Sequence, residues 1–290
     1  MDLNKIALSI REVMEEQKEK LGLRFIEETH TYYMKDKNGM VRDDWPSVSK
    51  ILKNFYEAFP AEDIAYKMAQ GDELRMQEIL QEWKNKGTYA TNVGSRTHFY
   101  LEKNLVDKNG NYKDVREPIF ECDLEQELKS NSMINAGDKF IKLMEERGAV
   151  LLDTEMVLGH PELGYTGQPD KVWLIMNAKQ DGYGLVITDW KTNKEKNFRT
   201  NKFTKPLLPP FQEYPDTALG HYYLQLPFYA RLLTKMLEGT EFENLRLLGG
   251  IIVLLKDNSD FEEFRIPKPI IDTIFEMDMS DYINILNEYK

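Results

Sequence analysis

Two aspartates and a lysine occupy positions from which their side chains can meet at one end of a predicted β-hairpin. Asp170 lies in the segment QPDKVWLIM, and Asp189 and Lys191 close the segment GLVITDWK. Both segments are rich in strand-favouring residues, and the polar stretch NAKQDGY between them favours a turn. Because side chains alternate between the faces of a strand, Asp189 and Lys191 share one face. The hairpin therefore brings Asp170 within cross-strand reach of both.

These three residue types have a joint use in hydrolysis. Two carboxylates held this close repel one another, and a divalent cation stabilises both in their ionised form. Mg²⁺ and Mn²⁺ prefer oxygen ligands, lower the pKa of bound water and offset charge that develops on a phosphodiester. A lysine adds positive charge beside the phosphate and can orient or help deprotonate the attacking water. The pattern predicts metal-dependent phosphodiester hydrolysis with Asp170, Asp189 and Lys191 as catalytic residues.

Two further pairs of polar residues have the i, i+4 spacing that places side chains on one face of a helix. They are His98 with Glu102, and Gln225 with Tyr229. A single helical histidine is more often structural than a metal ligand. Glu102 could equally well hydrogen-bond a metal ligand or form a simple salt bridge. Glu155, in a predicted strand before Asp170, either faces the metal or is solvated, and solvation is commoner.

The segment that follows Lys191 is basic, although the chain carries a net charge of −11. Its basic residues up to position 205 outweigh the single acid Glu195; they are Lys191, Lys194, Lys196, Arg199, Lys202 and Lys205. Phe198 and Phe203 lie among them and could stack on bases. Charge runs are usually solvated loops, but the position after the catalytic strand favours a substrate-holding loop with contacts from Lys194, Lys196 and Arg199.

Four sequence motifs resemble those of one nuclease superfamily. GQPD (167–170) followed by ITDWKT (187–192) resembles the PD-(D/E)XK signature. GSRTHFYLE (94–102) is similar to the histidine motif of RecB-like exonuclease domains, and HYYLQLPFYARLL (221–233) to their Q-x-x-x-Y helix. HTYY together with WPSVSKIL (30–52) resembles the N-terminal segment of phage exonucleases and of the mitochondrial genome maintenance exonuclease family. The motifs occur in the family's order.

The resemblance implies roles for named residues. His98, Asp170, Asp189 and the backbone carbonyl of Trp190 would bind Mg²⁺ or Mn²⁺, and Lys191 would be the catalytic lysine. Gln225 and Tyr229 would contact the nucleic acid or orient the lysine. Ser95 and Arg96 stand where the family more often has a Gly-Thr pair. CRISPR-associated and helicase-linked members often bind an iron–sulfur cluster through four cysteines, which this chain lacks because Cys122 is its one cysteine.

Hydrophobic periodicity predicts the elements that position these residues. Helices are predicted at 3–20, 61–86, 90–105, 122–147, 218–238 and over the last ~20 residues, with one further helix starting after Ser47. Strands are predicted at 24–34, 149–159, 168–176, 184–191, 245–257 and 261–267, with irregular structure over 192–217. We expect an α/β fold of the PD-(D/E)XK, restriction-endonuclease-like kind: a central mixed β-sheet flanked by helices, with a helical N-terminal elaboration.

Length and composition set the remaining limits. The 290 residues are 41% hydrophobic and 30% charged, which is typical of a globular protein. We expect one nuclease domain over 1–290, in which 1–120 is a mainly helical elaboration that carries His98 and 121–290 is the core. The lack of an apolar stretch near the N-terminus predicts no signal peptide. No run suits a membrane span, and the single cysteine favours the cytoplasm, that of a host if the chain is phage-encoded.

The function expected from the sequence is metal-dependent hydrolysis of DNA. An exonuclease that acts on single-stranded or end-processed DNA in phage or bacterial replication, recombination or repair is favoured by the resemblance. A catalytically silent nucleic-acid-binding module of the same fold and a structure-specific endonuclease are the alternatives. The sequence leaves open the polarity of digestion, the preference for single or double strands, and whether the substrate is DNA or RNA. It also leaves open the number of metal ions, the protein partners and the oligomeric state.

Overall fold

The computed structural model describes residues 2–102, 120–179, 182–199, 205–280 and 282–283. The helices within these ranges are α1 Leu3–Leu21, α2 Val48–Leu52, α3 Ala61–Met68, α4 Glu73–Glu102, α5 Leu124–Glu146, α6 Ala218–Leu237 and α7 Lys268–Glu276. None of these described helices is long and apolar enough to cross a membrane.

The strands form a five-stranded sheet and two small sheets. They are β1 Arg24–Ile26, β2 Thr31–Lys35, β3 Val41–Arg42, β4 Val150–Thr154, β5 Leu158–His160, β6 Tyr165–Gly167, β7 Lys171–Met176, β8 Tyr183–Lys191, β9 Arg246–Leu255 and β10 Phe261–Arg265. The large sheet has the order β10-β9-β8-β7-β4. Its β8–β9 pair is parallel and its other pairs are antiparallel, so the chain is an α/β protein with a mixed sheet, as predicted.

Alternate side chains of the sheet enter two hydrophobic clusters. Residues such as Ile187 and Leu254 pack with α1, α6 and α7 on one face. Trp173, Trp190 and Val253 pack with α4 and α5 on the other face. Helix α6 makes the crossover that a parallel β8–β9 pair needs. Both faces of the sheet are therefore covered by helices, and the predicted acids and lysine lie at the strand ends.

The predicted hairpin is confirmed as β7 and β8. Lys171 pairs with Thr188, which places Asp170, just before β7, opposite Asp189. Asp189 continues the alternation of Ile187, so its side chain lies on the α6 face of the sheet. Trp190 points to the other face and is fully buried against the Phe140 ring, with ring centroids 5.5 Å apart. The hairpin therefore separates the acids from the tryptophan, as period-two alternation requires.

The structure confirms helix over most of 61–86 and 90–105, but the position predicted for the break between the two helices is wrong. The structure has the short helix α3 and then one helix of 30 residues, α4, which runs through Gly87 and Gly94. Packing explains the glycine at position 94, because a Cβ there would lie 3.2 Å from Thr192 Oγ1. A Cβ at Gly137 of α5 would likewise lie 2.5 Å from Leu101 of α4. Close approach at these glycines holds α4 against α5 and the end of β8.

Three strand and helix boundaries also differ from the prediction. The segment 24–34 forms two strands, β1 and β2, joined by a turn at 27–30. The segment 149–159 breaks at Glu155 into β4 and β5, which belong to different sheets. The helix predicted for the last ~20 residues is α7, which ends at Glu276, and positions after 283 lie outside the described residues.

Candidate metal and catalytic centre

Asp170 lies at the middle of a buried polar cluster at the open end of the β7–β8 hairpin. Its Oδ2 accepts a hydrogen bond of 2.6 Å from the backbone N–H of Trp190. Its Oδ1 lies 3.2 Å from Nδ1 of His98, on the last turns of α4. The Asp170 side chain is 8% exposed and that of Asp189 is 4% exposed, so water does not screen the two carboxylates from each other. The structure thus brings His98, predicted from helix spacing, to the predicted pair of aspartates.

Lys191 joins this cluster from the end of β8. Its Nζ forms an ion pair with Oδ2 of Asp189 and donates a hydrogen bond of 3.1 Å to Oε1 of Gln225. The Gln225 amide in turn donates to the hydroxyl of Tyr229 at 2.7 Å. The ring of Tyr222, one turn earlier on α6, lies 4.1 Å from Nζ in a cation–π contact. Helix α6 therefore fixes the position of the lysine through three residues at helical spacing.

Glu102 and Glu155 complete an acidic group around His98. One ligand atom from each of these three residues lies within 4.8 Å of the other two. The carboxyl groups of Glu102 and Glu155 hydrogen-bond each other, and Glu155 also bonds Asp170. Of the alternatives set by the sequence, the structure places Glu155 toward the cluster rather than toward solvent. Glu102 lies in the same group rather than in a surface salt bridge with a lysine or arginine.

The backbone of Glu155 is turned to reach this position. Its φ is +48°, a left-handed conformation that few residues other than glycine adopt. Its N–H donates to the carbonyl of Asp170 at 3.0 Å, and its carbonyl accepts from the Gln168 side chain at 3.0 Å. Such strain persists only where surrounding contacts maintain it, and it concentrates at functional sites. The break between β4 and β5 is the means by which a strand residue becomes a member of the acidic group.

The pKa values of the two aspartates are driven apart. Burial alone would raise the pKa of Asp170, but the charge of His98, the Lys191 ammonium and the Trp190 N–H lower it to about 2. Burial and the charge of Asp170 raise the pKa of Asp189 to about 6, against the opposing effect of Lys191. Two acids with separated pKa values in one buried site are typical of functional centres. Added positive charge is what would let both acids ionise together.

The donor set fits a hard divalent cation. Carboxylate oxygens of Glu102, Glu155 and Asp170 and one imidazole suit Mg²⁺ or Mn²⁺ rather than a metal that prefers sulfur. His98 Nδ1 faces Asp170, and a histidine that donates one N–H to a carboxylate keeps the other nitrogen free to bind a metal. The N–H of Trp190 points toward Asp170, and in an extended strand the carbonyl of the same residue points to the same side.

The basic segment is only partly directed at this centre. Arg199 forms an ion pair with Glu262 and stacks on the Phe264 ring at 4.8 Å, so its described contacts are with β10. Lys196 is exposed, and Lys194 is an exposed residue that lines a groove of about 860 Å³ together with Lys86 and Lys129. Roles for these residues in binding substrate stay predictions.

The proposed stacking role of Phe198 is wrong. Its side chain is fully buried in the main hydrophobic cluster, where it contacts the Phe264 ring at a centroid distance of 5.3 Å. A fully buried ring has no free face for a base, so Phe198 anchors the segment instead. Lys202 and Phe203 lie outside the described residues.

Three residues of the centre were missed by sequence reasoning. Tyr222 lies three residues before Gln225, a spacing that could have been noticed in HYYLQ. Lys171 is fully buried, donates to Thr154 Oγ1 at 3.1 Å, and burial lowers its pKa to about 8. The available signal was a lysine that directly precedes the apolar run VWLI in a predicted buried strand. Gln168 donates a hydrogen bond to the Glu155 carbonyl, and its spacing from the other residues of the centre is not distinctive.

A methyl group at Gly167 should destabilise the protein by displacing Tyr229. A Cβ at this position would lie 2.5 Å from Tyr229 Cε1 and 2.9 Å from Val48 Cγ2, and both neighbours are buried. Overpacking of this kind costs about 1–3 kcal/mol, so Gly167→Ala should lower the free energy of unfolding measured with denaturant.

The matched control is Gly87→Ala on the exposed face of α4. A Cβ there meets no described atom within 4 Å, and alanine favours a helix over glycine by about 0.8–1 kcal/mol, so this variant should be more stable than the wild type. Equal stabilities of Gly167→Ala and the wild type would show that Tyr229 is not packed as described.

Glu155→Gln should make the stability of the metal-free protein less dependent on pH. Burial and the charges of Asp170 and Glu102 raise the pKa of Glu155 well above its usual value. An acid with a higher pKa in the fold than in the unfolded chain keeps its proton in the fold between the two values. The free energy of unfolding therefore falls as pH rises through that interval.

Glutamine carries no such proton, so the melting temperature of Glu155→Gln in EDTA should fall less than that of the wild type from about pH 4.5 to 8. The other acids of the centre titrate in both proteins, and Glu145→Gln, an exposed site at the end of α5, should behave like the wild type. Parallel pH profiles of wild type and Glu155→Gln would refute the crowding of these carboxylates.

Comparisons with known proteins give distant structural likenesses and no match in sequence. Neither a protein-family profile nor a curated protein sequence matches the chain. A crystal structure from Eubacterium rectale, described as a "Putative exonuclease", superposes with a TM-score of 0.45 at 14% identity, over 85% of this chain and 83% of that one. At this level of similarity the superposition carries no argument about activity, which must come from the site itself.

Proposed function

We propose that this chain is a nuclease of the PD-(D/E)XK type that hydrolyses DNA phosphodiester bonds with Mg²⁺ or Mn²⁺. The observation that supports it most is the meeting of Asp170, Asp189 and Lys191 at the mouth of one hairpin, beside His98. Buried carboxylates held together with an imidazole and an ammonium are costly for a fold to maintain. A metal-dependent reaction on an anionic substrate gives each of these groups a use.

The residues that would hold the metal come from three elements. Glu102 and His98 belong to α4, Glu155 follows β4, and Asp170 and Asp189 come from the hairpin, with the Trp190 carbonyl beside them. When bound, the ion would lower the pKa of a coordinated water and offset negative charge on the phosphate. Asp170 also orients the imidazole of His98 by accepting from Nδ1.

Lys191 acts in this proposal as a fixed positive charge. Burial would lower its pKa, but the charge of Asp189 raises it above the ordinary value, so Nζ keeps its proton. A protonated Nζ stabilises negative charge on the phosphate and orients the attacking water, and it is a poor general base. Gln225 and Tyr222 hold the ammonium in place, and Tyr229 fixes Gln225.

The finer assignment is to exonucleases. The order of the four motifs and the Gln225–Tyr229 pair favour a RecB-like enzyme that acts on single-stranded or end-processed DNA in a phage or bacterial setting. We include in the proposal one nuclease domain over 1–290. In its favour, one hydrophobic cluster contains residues from α1 and α2, near the start of the chain, and from α6 and α7, near its end.

A cleavage assay tests this proposal. Labelled linear and circular single-stranded DNA is incubated with the protein in Mg²⁺, in Mn²⁺ and in EDTA. Loss of linear DNA alone, prevented by EDTA, is the expected result. Cleavage of circular DNA would show an endonuclease instead of an exonuclease. Binding without cleavage in either metal would show a catalytically silent binding module.

A further inference from the structure

A groove of about 840 Å³ opens directly beside the acidic group. Glu102 and Glu155 line its inner end, and the β1–β2 hairpin lines its outer wall. Its volume is in the range of sites for small organic molecules, so it suits one or two nucleotides and not a double helix. Because it begins at the predicted metal ligands, whatever occupies it lies next to the bond that is cut.

The outer wall presents an aromatic surface. Phe25 and Tyr32 are directly opposed in the β1–β2 register, and their ring centroids are 4.5 Å apart. The His30 ring meets the edge of Phe25 at 5.5 Å. Phe25 and Tyr32 are only partly buried, although both line the groove. Aromatic rings with accessible faces stack on nucleobases irrespective of base identity.

Hydrogen bonds connect the aromatic wall to the acidic group and to Lys191. The Tyr32 hydroxyl donates to Gln168 Oε1 at 3.4 Å, and Gln168 donates to the carbonyl of Glu155 at 3.0 Å. From the opposite side Tyr229 lines the groove and connects through Gln225 to Lys191. The aromatic wall is therefore held at a fixed position relative to the catalytic groups.

The charge of the groove selects which part of a nucleotide it can hold. Its acidic lining residues are Glu27, Asp43, Glu102 and Glu155, and its basic lining residue is Lys50. Away from a bound cation, such a lining repels phosphates and tolerates a neutral base and sugar. The second groove is lined by three lysines, Lys86, Lys129 and Lys194, and by two acids, Glu125 and Asp257, so it is less acidic than the first groove and offers ammonium groups to a phosphate backbone.

We propose that the 840 Å³ groove binds the nucleoside next to the scissile phosphate, with its base stacked on the Phe25–Tyr32 surface. The substrate is then an unpaired strand, because a base in this groove cannot remain paired. This inference rests on the proposed nuclease function and adds the position at which a base is recognised.

The test uses single-stranded oligonucleotides that carry one abasic site at successive positions around the cut. Stacking on an aromatic residue is worth about 1–3 kcal/mol per base, so wild-type cleavage should slow about 5- to 150-fold when the abasic site falls at one position beside the cut. Phe25→Ala should abolish this dependence, and Phe25→Leu covers the case in which alanine prevents folding. Tyr33→Ala, on the other face of the same hairpin against Arg24, should retain the dependence.

Binding of the same oligonucleotides to Asp189→Asn in Mg²⁺ provides a readout that needs no cleavage. If an abasic site at one position weakens binding, and adding Phe25→Ala removes this difference, the groove assignment is supported. This result would support the groove even if the wild type cleaves no DNA. Lack of cleavage by the wild type would refute the nuclease function alone. Cleavage at equal rates for every abasic position, or an unchanged dependence in both Phe25 variants, overturns the groove assignment and leaves the nuclease function standing.

Discussion

Asp189→Asn should reduce DNA cleavage by about three orders of magnitude or more without unfolding the protein. Asparagine keeps the shape of the side chain and removes the negative charge that pairs with Lys191 and that, in the proposed centre, would bind the metal. The pKa of Asp189 is raised to about 6, which means that the fold holds its charged form less well than water does. At pH 8 without metal, the neutral substitute should therefore leave the melting temperature unchanged or higher.

Initial rates in saturating Mn²⁺ and a thermal melt in EDTA together check this expectation. Asp138→Asn, an exposed acid on α5, serves as the control and should keep wild-type activity. A large loss of metal-free stability in Asp189→Asn would instead indicate that the aspartate is a structural partner of Lys191, and wild-type activity would remove it from the centre.

Lys191→Met should reduce cleavage by about 10²–10³-fold while leaving the metal site intact. Methionine fills a similar volume and removes the positive charge beside the phosphate. The contacts of Asp170 with His98 and with the Trp190 N–H do not involve the lysine directly. The loss should therefore appear in the turnover rate, and the Mn²⁺ concentration that gives half-maximal activity should change little.

Lys191→Arg and Lys235→Met complete the comparison. Arginine restores the charge with a different shape, so partial recovery is expected if charge is what the reaction needs. Lys235 lies near the end of α6 and forms ion pairs with Glu162 and Glu238, and its replacement should leave the rate unchanged. Equal activity of Lys191→Met and the wild type would contradict the assigned role.

The hairpin and its two faces were predictable because they follow from local rules. The apolar runs of β7 and β8 are interrupted by a polar turn, and alternation then assigns Asp189 and Trp190 to opposite faces. Helical spacing of His98 with Glu102 and of Gln225 with Tyr229 was equally local. The meeting of these pairs at one point was not local, and it was expected only through the resemblance of the motifs to a known family.

Other features depend on tertiary contacts that spacing does not encode. The left-handed backbone of Glu155 is maintained by Asp170 and Gln168, from a distant segment, so 149–159 looked like one strand. The close approach of Gly94 to Thr192 cannot be read from the neighbouring residues in the sequence. The burial of Phe198 likewise results from packing against β10, which a basic composition hides.

The central claim is that Asp170, with the acids and histidine around it, holds a divalent ion required for hydrolysis. Calorimetric titration of Mn²⁺ into the wild type and into Asp170→Asn, with DNA cleavage measured on the same preparations, tests it most directly. We predict saturable binding and cleavage by the wild type, and loss of both in Asp170→Asn while its melting temperature in EDTA is maintained. Equal Mn²⁺ affinity in the two proteins, or cleavage by the wild type that persists in EDTA, would contradict the account.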